Sequence, residues 1–380
     1  NPDTIFLNVY QSGNWAKKIA HLGNNILSAT IALHKDTIWA CWKESAFIKT
    51  SYSTNKGNTW SSVFNVSASG DMAAPSIFAS SNGKVHFVWF SETLTDTIVL
   101  HNVYFKGAFL PNANVLSTIG FKASWPSVTA WGDTVVSSWK ETHSVSKVYF
   151  SRSFDGGQTW SSPAFTNGPN TAKDPNLSIA FDENTNTHYT YLVYDGNQKI
   201  YLQRSSDFGT TWTPHVVISN SSKNSQFAKV ECNNSGFVGV SWEHRTGVSL
   251  KDDTKKDVGF AYSTSWADVG SFSNDSAAYL RNPLGSPLAS FNKIDENNFY
   301  LVWLTNDPSI DKHIIYERRI GFNTGVNGIK TLNLASDLII YPNPASNILT
   351  LSNKSLSSTQ VKIFDLLGKE VFSKSISQNT

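Results

Sequence analysis

The sequence has little charge and lacks any long apolar run. Charged residues make up 16% of the chain, well below the roughly 25% of an average soluble protein. The 31 basic residues nearly balance the 29 acidic ones, so the net charge is +2 at pH 7. This balance provides no electrostatic attraction to nucleic acid, and no nucleic-acid partner is predicted. No apolar run approaches the roughly 18 residues of a membrane-spanning helix, so no membrane span is predicted either.

Cysteine is also scarce, since the chain contains only Cys41 and Cys232. Two cysteines cannot form the disulfide framework of a small secreted domain, and neither lies in the C-x-x-C spacing of a structural zinc site. One disulfide and two buried thiols are the alternatives, and we favour the thiols. Phosphate-loop and dinucleotide-binding fingerprints are lacking too, so neither a metal nor a cofactor is predicted.

Aromatic residues, in contrast, make up 13% of the chain and mark an internal repeat. Six β-rich runs recur about every 50 residues, and each ends in an aromatic residue. These closing aromatics are Trp42, Trp89, Trp139, Tyr194, Trp242 and Trp303. With one strand before each run and two after it, each repeat has the length and strand number of a β-propeller blade. We predict an all-β fold with a six-bladed propeller over residues 1–322, closed by N-terminal strands. A seven-bladed ring is the alternative if those strands form a blade of their own.

An octapeptide of the pattern Ser-x-Asp/Asn-x-Gly-x-Thr-Trp occurs at 53–60, 153–160 and 205–212. Its Asx side chain can accept backbone N–H bonds across a turn, and its glycine can take a positive φ at the tip. The residues with these structural roles are Asn55, Gly57, Trp60, Asp155, Gly157, Trp160, Asp207, Gly209 and Trp212. The octapeptide resembles the Asp-box, or bacterial neuraminidase (BNR) repeat, of sialidase-like propellers. This resemblance implies the sialidase-like fold and places the boxes far from the catalytic centre.

The composition changes after residue 322, where a Gly/Asn-rich linker covers 323–331 and short strands fill 332–380. The elements Tyr341-Pro342-Asn343-Pro344 and Phe364-Asp365-Leu366-Leu367-Gly368-Lys369 resemble a type A C-terminal sorting domain of Bacteroidetes. That resemblance implies a partial immunoglobulin-like β-sandwich, handling by the type IX secretion machinery, and a secreted or cell-surface protein. An ordinary immunoglobulin-like accessory domain is the alternative. Since the chain begins without Met and stops before the family's final strands, we expect a processed and truncated form.

The sialidase resemblance also implies three arginines that hold the substrate carboxylate, a Tyr–Glu nucleophile pair and an Asp acid. Arginine is needed there because its guanidinium group binds a carboxylate through two parallel hydrogen bonds. The chain has six arginines, and none precedes Arg152. Segment 26–31, where the family's first arginine falls, contains none. We therefore predict that the protein has no sialidase activity.

A carboxylate recurs just after the second strand of each repeat, where the loops of a propeller line one mouth of its channel. These carboxylates are Glu44, Glu92, Glu141, Asp195, Glu243 and Asp307. Trp125 and Phe227 lie in the opposing loops. Carboxylates and aromatic rings around a concave mouth suit a sugar, which needs hydroxyl partners and an apolar stacking face. We predict ligand binding by Glu44, Glu92, Trp125, Asp195, Phe227 and Asp307.

Two of these loops carry further groups that are capable of catalysis. His143 lies beside Glu141, and His244 and Arg245 follow Glu243. Two carboxylates roughly 5–10 Å apart can hydrolyse a glycosidic bond. A histidine with an arginine and a tyrosine can instead abstract a proton, as a polysaccharide lyase requires. These five residues are the catalytic candidates.

We expect a secreted or cell-surface protein that binds an extracellular glycan or another surface ligand without sialidase activity. A carbohydrate-active enzyme, either a glycoside hydrolase or a polysaccharide lyase, is the first alternative. A non-catalytic scaffold or cargo protein is the second, because polar residues after each strand also serve simply to meet water. The fold does not choose among these functions, since propellers host unrelated activities.

Overall fold

The computed structural model describes residues 3–11, 14–68, 71–92, 95–219, 224–245, 256–264 and 266, together with the backbone of further strands between 290 and 377. The chain divides into two compact units, Asn1–Phe322 and Asn323–Thr380. The described residues form strands, turns and bends but no helix, so none of them forms a helix that could cross a membrane.

The described strands of the first unit are β1 Asp3–Gln11, β2 Asn14–Gly23, β3 Ile26–His34, β4 Thr37–Glu44, β5 Phe47–Ser53, β6 Phe64–Asn65, β7 Asp71–Ala79, β8 Val85–Glu92, β9 Thr97–Phe105, β10 Ala108–Phe109, β11 Asn114–Val115, β12 Lys122–Trp131, β13 Thr134–Thr142, β14 Ser146–Ser153, β15 Ala164–Phe165, β16 Lys173–Asp182, β17 Thr187–Gly196, β18 Lys199–Ser205, β19 Val216–Val217, β20 Asn224–Cys232, β21 Val238–Arg245, β22 Lys256–Ser263, β23 Ser290–Asp295, β24 Asn298–Asp307 and β25 Lys312–Gly321. In the second unit, β26 Leu338–Tyr341 pairs with β27 Thr350–Asn353, and β28 Ser358–Phe364 pairs with β29 Glu370–Ser377.

The described strands of the first unit form one hairpin and six antiparallel sheets. The hairpin is β1–β2, sheet 1 is β3–β6, sheet 2 is β7–β11, sheet 3 is β12–β15, sheet 4 is β16–β19, sheet 5 is β20–β22 and sheet 6 is β23–β25. A single parallel pair, Lys122 with Thr97, joins sheets 2 and 3. The all-β fold predicted from the strand repeat is confirmed. The blade number, six or seven, stays a prediction.

Apolar side chains pack between consecutive sheets. Separate clusters join sheet 1 to sheet 2, sheet 2 to sheet 3, sheet 3 to sheet 4 and sheet 4 to sheet 5. The repeat's closing aromatics Trp42, Trp89, Trp139, Tyr194 and Trp242 are all buried. Replacing one such ring by alanine typically costs about 3–5 kcal/mol of stability. The aromatic repeat in the sequence is therefore the packing layer between successive sheets.

The β1–β2 hairpin packs against sheet 1. Ile5 of the hairpin is buried together with Ala40 and Trp42 of β4.

Cys41 on β4 and Cys232 on β20 are both buried thiols rather than a disulfide, as we predicted. Burial raises the pKa of the Cys41 thiol well above its usual value, so this thiol is inert as a nucleophile.

The first strands of sheets 1 to 5 share one irregularity. Each contains a β-bulge with one extra residue at the same position, and one residue of each bulge has a positive φ. These residues are Ser28 (51°), Ala74 (45°), Trp125 (54°), Asp174 (50°) and Phe227 (56°), and we call them the bulge row. Pro75, Pro126 and Pro175 follow three of them. Because proline has no N–H to donate to the ladder and disfavours the helical region for the residue before it, it interrupts strand pairing at that point.

The three octapeptides form turns with the same hydrogen bonds. The hydroxyl group of the first serine accepts a bond from the glycine N–H, at 2.7–2.9 Å. The Asx Oδ1 accepts from the N–H four residues on, at 2.8–2.9 Å. Gly57, Gly157 and Gly209 have φ values of 81°, 89° and 81°. Gly157 lies against His101 of sheet 2, where a Cβ atom would not fit, so this turn closes on the sheet before it.

The tryptophan that ends each octapeptide also faces the protein. The ring of Trp160 lies 4.8 Å from that of His101, and the ring of Trp212 lies 5.6 Å from that of Phe150. Trp60 packs against the cluster that joins the hairpin to sheet 1. These contacts hold the octapeptide turns against their sheets, and their assignment as Asp-boxes stays a prediction.

Candidate functional site

The bulge row and the recurring carboxylates lie at the same end of their sheets, which we call the bulged end. Glu141 pairs with Ala123, two residues before Trp125, and Asp195 pairs with Lys173, next to Asp174. The corresponding pairs in the other sheets are Glu44 with Ile26, Glu92 with Asp71 and Glu243 with Gln226. The octapeptide turns follow the third strands and therefore lie at the opposite end. The extra residue of a β-bulge changes the direction in which nearby side chains point. Side chains at the bulged end can therefore point in directions that a regular strand would not allow.

Glu141 is fully buried and its carboxylate has three partners. Its Oε2 accepts hydrogen bonds from Trp139 Nε1 at 2.8 Å and from Thr118 N at 3.1 Å. Its Oε1 lies 2.7 Å from Nε2 of His143. The His143 ring stacks on Phe121, with centroids 3.5 Å apart. These contacts tie a loop to the end of β13, and a catalytic role for Glu141 and His143 stays a prediction.

Glu44 has a similar set of partners in sheet 1. Its Oε2 lies 3.1 Å from Trp42 Nε1, 3.0 Å from His21 Nε2 and 3.2 Å from Lys49 Nζ. Burial raises the pKa of Glu44, but the hydrogen bonds from Trp42 and Lys49 and the charge of Lys49 outweigh this effect and hold it below its usual value. Glu92 of sheet 2 pairs with Asp71, three residues before the bulge residue Ala74, whereas Glu44 pairs with Ile26, only two residues before Ser28. Because successive strand residues point to opposite faces of a sheet, this one-residue offset places Glu92 on the other face, and it is exposed.

Of the three consecutive catalytic candidates on β21 in sheet 5, Glu243 is the one with a described side chain. Glu243 is buried, and its Oε1 accepts a hydrogen bond from Gln226 Nε2 at 2.8 Å. His244 and Arg245 continue β21, and their side chains lie outside the described part of the chain. The same holds for the side chain of Asp307 at the end of β24. Sheet 4 lies between Glu141 of sheet 3 and Glu243 of sheet 5, so the two candidate carboxylates do not share a sheet or an adjoining pair of sheets.

Sheet 4 contains a cluster of two carboxyl groups and one ammonium group, which we call the trio: Lys173, Asp174 and Asp195. Lys173 Nζ lies 3.1 Å from Asp174 Oδ2 and 3.2 Å from Asp195 Oδ2. The side chains of Lys173 and Asp174 are 39% and 14% exposed, whereas that of Asp195 is 3% exposed. Oδ1 of Asp195 is buried and has no hydrogen-bond donor among the described groups. The trio is therefore reached from solvent through Lys173 and Asp174, with Asp195 beneath them.

The trio has an unusual electrostatic state. Burial and the charge of Asp174 raise the pKa of Asp195 to about 7, against the lowering effect of Lys173. Burial lowers the pKa of Lys173, but the two carboxylates outweigh it and hold the pKa above its usual value. Lys229 on β20 is exposed and lies within electrostatic range of Asp174 and Glu231, whose charges favour its ammonium form. A carboxyl group that titrates near pH 7 is typical of functional sites.

Aromatic rings flank the trio on the neighbouring bulges. Trp125 in sheet 3 is 52% exposed, and its ring touches only Phe90 edge-on, with centroids 6.0 Å apart, among the described ring contacts. Phe227 in sheet 5 lies under Lys173, whose Nζ is 5.4 Å from the ring centroid. Trp125, Asp174 and Phe227 occupy equivalent positions in three successive sheets. An exposed indole ring, a charged cluster and a second ring thus follow one another along the bulged end.

The arginines with described side chains serve elsewhere. Arg152 Nη1 donates to the carbonyl oxygen of Gly209 at 3.0 Å, and Arg204 Nη1 donates to that of Trp266 at 2.7 Å. Both arginines lie near the ends of third strands, away from the bulged end.

Among the described side chains, His, Cys, Asp and Glu form no group of three or more that could hold a metal ion.

The structure brings together some predicted site residues and adds others. It places Asp195 and Phe227 around one lysine, and it pairs Glu141 with His143. Lys173 is a site residue that the sequence patterns did not indicate. The signal that could have found it is the charged pair Lys173-Asp174 directly before Pro175, at the point where the repeat begins its first strand.

Comparison with known families identifies the C-terminal segment. Residues 339–380 match the model of the secretion system C-terminal sorting domain. The chain carries a type IX sorting domain. The resemblance predicted from Tyr341-Pro342-Asn343-Pro344 is thereby confirmed, and the sorting domain indicates export by type IX secretion to the cell surface or the extracellular space.

Solved structures with the same fold include proteins of different activities. A protein of unknown function from Dyadobacter fermentans matches with a TM-score of 0.56 at 11% identity, over 79% of this chain and 95% of that one. A polysaccharide lyase, an ulvan lyase, matches with a TM-score of 0.57 at 8% identity, over 79% and 82% of the two chains. A Hadza microbial sialidase matches with a TM-score of 0.50 at 12% identity, over 78% and 66%. These likenesses confirm the sialidase-like propeller fold and, at such low identity, nothing more.

One curated protein matches part of the sequence. An endo-acting ulvan lyase from Formosa agariphila is 36% identical over 76 residues, which are 20% of this chain. The chain spans about 13% of the length of that relative.

Proposed function

We propose that the first unit binds an extracellular glycan at its bulged end and has no sialidase activity. The observation that carries this proposal is the bulge row, where non-glycine residues hold a positive φ in five successive sheets. A non-glycine residue in this backbone conformation lowers the stability of the folded state by roughly 1–3 kcal/mol. Backbone strain of this kind clusters at ligand-binding sites. In sheets 3 to 5 the strained backbone carries Trp125, Asp174 and Phe227. A sugar needs an apolar face and hydroxyl partners, and these three residues with Lys173 supply both.

Three further findings support this proposal. Type IX export brings the protein to the cell surface or the medium, where polysaccharides are met. The partly matching curated relative is itself named as a lyase of a polysaccharide. Arg152 and Arg204, two of the six arginines, are bound to backbone carbonyls at the other end of their sheets, so neither is available to hold a substrate carboxylate at the bulged end.

The test is a glycan-binding screen on the full chain, followed by calorimetric titration of each glycan that binds. We expect Trp125→Ala and Phe227→Ala to weaken binding at least tenfold, because truncating an aromatic anchor typically costs about 2 kcal/mol. Phe154→Ala is the matched control, since Phe154 is 60% exposed in an octapeptide turn at the opposite end of sheet 3. Binding that Trp125→Ala leaves intact, or no binding to any glycan, would contradict the proposal.

A carbohydrate-active enzyme is the second candidate, and Asp195 favours it. A carboxyl group with a pKa of about 7 can act as a general acid or base at neutral pH. Mass spectrometry of each bound glycan after incubation distinguishes the two functions. Intact glycan supports a binding module. Cleaved glycan, with cleavage lost in Asp195→Asn and binding retained, supports the enzyme.

A further inference from the structure

The trio contains two carboxyl groups, those of Asp174 and Asp195. Among the described groups, the ammonium group of Lys173 is the one cation that contacts both. Lys173 Nζ binds Oδ2 of Asp174 at 3.1 Å and lies 3.2 Å from Oδ2 of Asp195. Asp195 Oδ1 is buried and has no donor within the described part of the chain. A buried carboxylate oxygen without a donor is costly, so a proton, a water molecule or a ligand hydroxyl group must supply one.

A shared proton resolves this arrangement. Two carboxylates in contact cannot both ionise cheaply, and such a pair holds one proton between them over a wide pH range. With one proton on the pair and an ammonium group on Lys173, the trio has no net charge. It then presents hydrogen-bond donors and acceptors together, which is the combination that sugar hydroxyl groups require.

We propose that the trio receives hydroxyl groups of an uncharged sugar residue between Trp125 and Phe227, and that it discriminates against uronate and sulfated sugars. The inference rests on the proposed glycan-binding function and names its ligand class. Asp174 lies between the two aromatic positions because the three residues occupy equivalent bulges of sheets 3, 4 and 5. A ring stacked on Trp125 would therefore place its hydroxyl groups over Lys173 and Asp174.

An anionic sugar would have to compete with two carboxylates for the cation of the trio. Lys173 is already bound by two carboxylates, and Arg152 and Arg204 are bound to backbone carbonyls elsewhere. The charge of Lys229 acts on Asp174, and Glu231 lies beside Lys229. Bringing a further anion against the trio would cost desolvation of that anion and repulsion from Asp174, while Lys173 remains bound to the carboxyl groups it already has.

The trio also gives binding a pH dependence with a definite sign. The charged groups that face Asp195 are Lys173 and Asp174 of β16, and burial together with Asp174 raises the pKa of Asp195 to about 7. Below this pH the shared proton is present as a donor. Above it the proton is lost and the trio becomes an anion. Affinity for an uncharged sugar should therefore fall about tenfold between pH 6 and pH 8, because the competent fraction falls by that factor.

The experiment titrates the full chain with neutral hexaoses (cello-, laminari-, xylo- and mannohexaose), with an oligogalacturonate hexamer and with a sulfated carrageenan hexamer, at pH 6 and pH 8. We expect at least one neutral hexaose to bind at least tenfold more tightly than either anionic probe, with higher affinity at pH 6. Preference for an anionic probe that is lost in Trp125→Ala would overturn this inference and leave the proposed function intact. Absence of any binding that depends on Trp125 would overturn the proposed function itself.

Asp195→Asn is the discriminating variant, because its amide keeps a donor and an acceptor but does not titrate. We expect it to bind the neutral hexaose with the same affinity at pH 6 and pH 8. Glu183→Gln is the control, since Glu183 is exposed at the opposite end of the same hairpin and should keep the wild-type pH profile. If Asp195→Asn does not fold, as a thermal melt would show, Asp174→Asn serves the same purpose. A wild-type pH profile in the folded variant would overturn the inference.

Discussion

At the scale of single residues, His86 and His101 form a buried pair with a predictable response to acid. His86 Nδ1 lies 3.1 Å from His101 Nε2, and the other ring nitrogens are buried without partners among the described groups. Burial, with a smaller effect of Lys84, lowers the pKa of His86 to about 3, and burial lowers that of His101 well below its usual value. Both rings are therefore neutral in the folded protein.

This depression of the histidine pKa values fixes the direction of a stability change. Unfolded histidines bind protons near pH 6.5, so the stabilisation is complete above that pH and is lost as the pH falls towards 3. We expect the denaturant midpoint, followed by tryptophan fluorescence, to fall across this range. The double variant His86→Gln, His101→Gln should show a flatter dependence. His34→Gln is the control, because His34 is half-buried outside this pair, and an unchanged slope in the double variant would contradict the prediction.

At the scale of the strand, two substitutions at the bulge residue Trp125 distinguish the effect of backbone strain from the effect of losing a ligand contact. Trp125 has a φ of 54°, a region that costs a non-glycine residue about 1–2 kcal/mol. Trp125→Gly and Trp125→Ala both remove the exposed ring, but only glycine relieves the strain. We expect Trp125→Gly to be about 1 kcal/mol more stable than Trp125→Ala by chemical denaturation, with glycan binding weakened equally in both.

The control for this comparison lies in the regular part of the same strand. Trp131 packs against Phe181 and His188 and does not have a positive φ. There the order should reverse, with Trp131→Gly less stable than Trp131→Ala by about 0.5–1 kcal/mol. If alanine is the more stable replacement at both positions, the bulge is not strained as the backbone angles indicate.

At the scale of the whole molecule, the sorting domain determines where the first unit acts. The match to residues 339–380 lies entirely within the second compact unit. We expect deletion of residues 323–380 to retain the protein inside the cell envelope of a host with type IX secretion, whereas the full chain reaches the surface or medium. Cell fractionation with immunoblotting against the first unit measures this. Equal export of both forms would contradict the prediction.

The sequence alone determined the repeat, and with it the all-β fold. A closing aromatic in each repeat marks a layer between sheets, because a strand buried on both faces needs large apolar side chains at regular spacing. Trp42, Trp89, Trp139 and Trp242 can therefore be recognised as core residues from their spacing along the chain. The octapeptides and the Tyr341-Pro342-Asn343-Pro344 element are equally local, since their roles depend on residues only a few positions apart.

Only the tertiary structure decided which polar residues form a common site. The carboxylates at the strand ends look alike in sequence, yet Glu44 and Glu141 are bound by tryptophan and histidine side chains while Glu92 is exposed. Asp195 differs because a bulge in β16 turns Asp174 towards it beside Lys173, which raises its pKa. A bulge changes pairing by one residue, and neither hydrophobic pattern nor composition records which way the extra residue points. The pairing between strands thus determines which of these carboxylates are buried and which charged groups they contact.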